Sequence, residues 1–181
     1  MSRPAKPLPG KLFLSVLASD WETFWPQLMD RLQERFGEAD YKSDPILFTE
    51  TNYYDAELGT PISRKILSFK ELVPQNHLVQ IKLDTNALEK AYQRNSRRTF
   101  NLDPGLVTHE RLVLATGKNF THRIYLDRGI WADLTLIYTR GGWQDLPWTF
   151  PDYAAEKTKS HLDRIRNIYC GQIKALLTKQ Q

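Results

Sequence analysis

The chain has 181 residues, 41% hydrophobic and 25% charged, a composition that excludes disorder as its main state. Its longest apolar stretch, residues 12–18, is too short to span a bilayer, and the opening shows no secretory pattern. The lone Cys170 excludes an internal disulfide, a cysteine-rich zinc site and a Cys-x-x-Cys redox motif. A reduced cytoplasm is the expected setting. The net charge is +4, with acids in excess up to Glu57 and bases in excess beyond it. Such asymmetry can mark a surface for anions, including phosphates or nucleic acid. No nucleic-acid-binding module accompanies it, so solvated helix faces are the simpler reading.

Residues 1–10 are Pro-rich and read as an extended arm before a single α/β domain over residues 11–181. Residues 11–18 read as a buried strand. A helix follows to about Phe36, capped by Asp20 or Thr23, with Trp21, Phe24, Trp25, Leu28, Leu32 and Phe36 as its apolar stripe. Pro26 fits its first turn, and Gly37 stops it. Residues 40–48 read as a second strand interrupted at Pro45, followed by a polar, aromatic loop. Residues 62–69 read as a third strand. Pro74 opens a helix to about Tyr92, although the alternation of Val79, Ile81 and Leu83 also fits a short strand. Residues 99–103 read as a fourth strand, ended by a turn at Pro104-Gly105.

That order predicts an α+β sandwich with a ferredoxin-like βαββαβ core. It is extended by a β-hairpin and a C-terminal helix. The hairpin joins residues 122–126 and 130–139 around Asp127-Arg128-Gly129. With Leu126 facing Ile130, Tyr125 opposes Trp131 and Arg123 opposes Asp133. His122, Ile124 and Leu126 then share the apolar face. Gly141-Gly142 ends the hairpin. Asp152 is placed to cap a last helix to about Leu177, docked through Leu162, Ile165, Tyr169, Ile173 and Leu176. Cys170 lies in that pattern as a small core filler.

No phosphate-loop, dinucleotide-binding, zinc-protease or nucleophile-elbow pattern is present. No two of the four histidines have the helical spacing of a metal site, and no metal is expected. The best candidate site is Asn101-Leu102-Asp103-Pro104-Gly105. Asn101 and Asp103 are two apart on a strand, so they share a face at a strand end, where ligands bind in α/β sheets. Asp103 is the candidate catalytic residue, as a general base or ligand. The plainer reading of Asp-Pro-Gly is a turn. Tyr53, Tyr54 and Glu57 line a cleft or cover a sheet edge. Arg94, Arg97 and Arg98 read as a solvated helix end.

The chain resembles domain-of-unknown-function family 4416 of bacteria and archaea. The resemblance rests on Thr51-Asn52-Tyr53-Tyr54 with Glu57 and Gly59, and on Lys82-Leu83, Thr85-Asn86 and Leu88-Glu89. It continues through Asn101-Leu102-Asp103-Pro104-Gly105, residues 112–116 and 122–126, and Pro147-Trp148-Thr149 with Pro151-Asp152-Tyr153. It implies a small domain without an established activity or cofactor. By family pattern, Arg64, Lys118, His122 and Arg123 are the expected neighbours of Asp103, with Tyr53, Tyr54, Glu57 and Asn101 in the same pocket.

Two functions follow as expectations. One is a cytoplasmic module for a small anionic ligand, phosphorylated or a nucleotide. The other is a hydrolase or transferase using Asp103 with a histidine or a bound metal. A protein-interaction subunit is the bland third.

Overall fold

The computed structural model of the chain describes residues 1–179. Residues 1–9 carry no regular structure, and only Leu8 and Pro9 are held, through Gln75 and the Tyr169 hydroxyl. The strands are β1 (Gly10–Ala18), β2 (Ala39–Lys42), β3 (Ile46–Leu47), β4 (Ser63–Val73), β5 (Asn101–Val107), β6 (Arg111–Thr116), β7 (Arg123–Asp127), β8 (Ile130–Thr139) and β9 (Gly142–Asp145). The helices are α1 (Trp25–Phe36), the single turn α2 (Asp55–Leu58), α3 (Leu78–Ala91), the single turn α4 (Pro151–Ala154) and α5 (Glu156–Thr178). Among the described residues, no helix is long and apolar enough to cross a membrane.

One antiparallel sheet runs β2-β4-β1-β5-β6-β8-β7, with β3 on β4 and β9 on β8. Its first four strands, with α1 crossing from β1 to β2 and α3 from β4 to β5, have the ferredoxin-like order. The α+β sandwich expected from the sequence is the architecture found. Because strand side chains alternate, β1 feeds two cores. Leu12, Leu14 and Val16 join Leu67, Phe69 and Leu102 under α1 and α3, through Leu28, Leu32 and Ile81. Phe13 joins Ile66, Val107, Leu112 and Leu136 under α5, through Leu162 and Ile165. Each such fully buried Leu or Ile stabilises the fold by about 1.5–3 kcal/mol.

Several local expectations are corrected. Pro104 and Gly105 do not turn the chain but run on inside β5, pairing with Leu14 and Phe13 of β1. Residues 79–83 are helical, because α3 must cross the sheet between β4 and β5. Neither Thr23 nor Asp20 caps α1; the cap position is Phe24, without a side-chain bond. In the hairpin, Arg123 does pair with Asp133 and Tyr125 with Trp131, but Asp127 takes the place opposite Ile130. The ladder slips between Tyr125 and Asp127, so Leu126 is bulged out. Ile124 and Leu126 are exposed, since β7 is the last strand and none of the described residues covers its face. The chain does not leave the sheet at Gly141-Gly142 but returns as β9. Cys170 is half-buried.

Candidate functional site

The site begins with a failure of strand pairing. On one edge β5 bonds to β1 along its whole length, from Asn101 opposite Leu17 to Val107 opposite Lys11. On the other edge it meets β6 only through Gly105, Leu106 and Val107. Beyond Leu114, β6 leaves β5 and follows β8 alone, Ala115 opposite Ala132 and Thr116 opposite Trp131. Asn101, Leu102 and Asp103 thus lie on a free edge, and their outward backbone groups need other partners. Two side chains of α3 supply them. Glu89 accepts the Leu102 amide at 2.6 Å, and the Lys82 ammonium donates to the Leu102 carbonyl at 2.9 Å. Two residues on, the same edge is occupied by Pro104, which has no N–H to satisfy. Gly105 then lets the strands rejoin: a Cβ there would lie 2.7 Å from both the Val113 carbonyl oxygen and a Leu114 methyl. The five-residue motif is a device for opening a sheet and closing it again.

The opening is a cleft of about 430 Å³, within the range of small-molecule sites. Asn101 and Asp103 share its wall, the Asn101 amide donating to Asp103 at 2.7 Å. Arg98 clasps both Glu57 oxygens, at 2.7 and 2.6 Å, and reaches Asn101 at 2.5 Å and Glu89 at 3.5 Å. The Arg98 hydrogen bonds hold the Glu57 carboxyl below its usual range. Burial pushes the Glu89 carboxyl up. On the opposite wall Arg123 donates to Asp133 at 2.8 Å and to the Lys118 carbonyl at 2.9 Å. Lys118 stands at the rim and donates to the Tyr53 hydroxyl at 2.9 Å, its ammonium 4.8 Å from that ring's centre. The floor is Arg64, paired with Asp152 and packed over the rings of Phe48 and Tyr153. Burial pushes the phenols of Tyr54 and Tyr153 up, so both stay protonated. Arg64 Nε and Tyr153 Oη are buried without hydrogen-bond partners.

Of the residues singled out from the sequence, Tyr53, Tyr54, Arg64, Asn101, Asp103, Lys118 and Arg123 all line this cleft. Glu57 stands behind it, attached through Arg98. His122 does not line it. Its ring stacks on Trp148 at 5.0 Å and bonds to Asp133 at 3.2 Å, so it supports Arg123's partner from behind. Asp103 touches neither His122 nor Arg123; its partners are Asn101 and Lys82, at 2.7 and 3.8 Å. Asp152 does not cap a helix but neutralises Arg64. Arg98 is not a solvated helix end. Lys82, Glu89, Asp152 and Tyr153 are the wall and floor residues that spacing alone missed. Their signal lay in the family-like segments, where Lys82 and Glu89 put buried charge on a face of α3 that packing would make apolar. Among the described residues, no three His, Cys, Asp or Glu side chains are grouped as metal ligands.

Fold and site together define the class: an α+β sandwich of ferredoxin-like order whose sheet parts into a charged cleft. The family model described as "Domain of unknown function (DUF4416)" matches residues 8–169, and the chain belongs to that family. Neither the curated proteins nor the solved structures contain a match to it.

Proposed function

We propose that the chain is a cytoplasmic module that binds a small anionic, phosphorylated ligand in the cleft between β5 and β6. The observation that carries this reading is Lys118. Arg64, Lys82, Arg98 and Arg123 each pair with a carboxylate, whereas Lys118, among the described residues, pairs with none. It stands exposed at the rim with Arg123 beneath it, so an arriving anion meets a cation that no carboxylate contacts directly. A thermal-shift screen with nucleotides and phosphorylated metabolites tests it. A ligand at a hundred times its dissociation constant stabilises by about 2.7 kcal/mol. Lys118→Met is expected to remove the shift. A screen without a shift at millimolar ligand would count against the reading.

A second reading, catalysis by Asp103 in a hydrolase or transferase, is favoured by one feature. Asp103 is partly exposed within the cleft while its neighbour Lys82 is buried, the geometry of a base beside a fixed cation. Asp103→Asn keeps the shape and removes the base. Turnover lost with ligand binding retained supports catalysis; turnover retained removes Asp103 from it.

A further inference from the structure

We infer that the cleft takes its ligand in one orientation: the phosphate at the rim against Lys118 and Arg123, and an uncharged oxygen, a sugar-like hydroxyl, on the floor against Tyr153 Oη and Arg64 Nε. This rests on the anion-binding reading and assigns the ligand class, a phosphate monoester of a polyhydroxylated molecule.

The argument starts from how charge is divided. On the floor and the β5 side, Arg64, Lys82 and Arg98 face the four carboxylates of Asp152, Asp103, Glu89 and Glu57. On the β6–β8 side, Lys118 and Arg123 have one carboxylate in contact, Asp133, and Glu57 acts on Lys118 only at longer range. The cleft is therefore electrostatically polar, with its cations matched by carboxylates within and in excess at one lip. A phosphate driven to the floor would lie among like charges in a site of low exposure, and at the lip it meets excess cation.

The floor nevertheless asks for something. Arg64 and Tyr153 both line the cleft and are each only 3% exposed, yet among the described residues Arg64 Nε and Tyr153 Oη, both buried, find no hydrogen-bond partner. Ser15 Oγ, on β1 beside Asp103, lies close enough to Tyr153 to act on its hydroxyl as a weak hydrogen-bond partner, but the two do not meet in full hydrogen-bond geometry. Buried polar atoms left unpaired are costly and rare. Arg64 Nε can only donate, and Tyr153 Oη, kept protonated by burial, can do both. A neutral hydroxyl satisfies both without adding charge beside Asp103 and Asp152. Asp103 itself has one carboxylate oxygen with only Lys82 for company, at 3.8 Å, and can accept from a further hydroxyl.

Isothermal titration of inorganic phosphate, ribose 5-phosphate and glucose 6-phosphate tests the orientation. The wild type is compared with Lys118→Met and Tyr153→Phe. Tyr153→Phe is isosteric, and an unchanged melting temperature verifies its fold. At least one sugar phosphate is expected to bind about tenfold or more tightly than inorganic phosphate. Lys118→Met weakens all anions by a similar factor. Tyr153→Phe weakens the sugar phosphate up to about tenfold and leaves inorganic phosphate unchanged. If Tyr153→Phe weakens inorganic phosphate equally, or leaves the sugar phosphate untouched, the orientation is overturned while anion binding stands. If no probe binds the wild type, or Lys118→Met changes nothing, both readings fall.

Discussion

Gly105 carries more of this site than any charged residue, because the cleft exists only if β5 and β6 close again beyond it. A methyl group there would meet a backbone oxygen at 2.7 Å, and backbone cannot rotate away. Gly105→Ala is expected to destabilise by about 1–3 kcal/mol, the range for overpacking. Chemical denaturation measures it; an unchanged midpoint would show that the strands part elsewhere. The same residue explains why the site was only half legible in the sequence. Asp-Pro-Gly is a turn by local propensity, and the strand reading depends on pairing with Leu14 and Phe13, which are distant in the chain. Asn101 and Asp103 were readable as neighbours because a strand's period is local. Asp103's partner Lys82 was not, since only the packing of α3 on the free edge of β5 brings it there.

The elements were read best where periodicity was long. The stripe of α5 docks as its spacing requires, with Leu162, Ile165, Tyr169 and Ile173 buried and Leu176 half-buried. Ile165→Ala, at a fully buried position, is expected to cost about 2–5 kcal/mol. A melting temperature unmoved by it would make α5 peripheral. The short strands β6 and β9 had no such signal and are strands because β8 offers both its edges to them. A pH dependence also belongs to this scale. His161 of α5 bonds to the Tyr41 hydroxyl of β2 at 2.5 Å, and burial, aided by Arg164 and Lys157, lowers its pKa. The folded state thus binds this proton less readily than the unfolded chain. The contribution is full above about pH 6.5 and is lost as pH falls through the lowered value. Melting temperature is expected to drop as pH falls below about 6.5. His161→Gln should flatten that slope; an equal slope in the variant assigns it to other groups.

At the scale of the whole molecule, the sheet is continuous in order but uneven in strength. β1 is laced to β4 and β5 along nearly all its length, while the C-terminal strands hang on β5 through Gly105, Leu106 and Val107. The ferredoxin-like order was legible because each crossover helix and its flanking strands are contiguous in sequence. The weakness of the seam was not, because it is a property of two strands that fail to meet. That seam divides the sheet into two leaves joined by a short ladder. The charged groups that line the cleft sit on both leaves, Asp103 and Arg64 on one and Lys118 and Arg123 on the other. Local opening draws on the least-bonded parts of a fold. Amides of residues 105–107 and 112–114 are therefore expected to exchange faster than those of β1. A molecule gripped by both leaves should slow that exchange most at the seam. Uniform protection across the sheet would mean the two leaves already move as one.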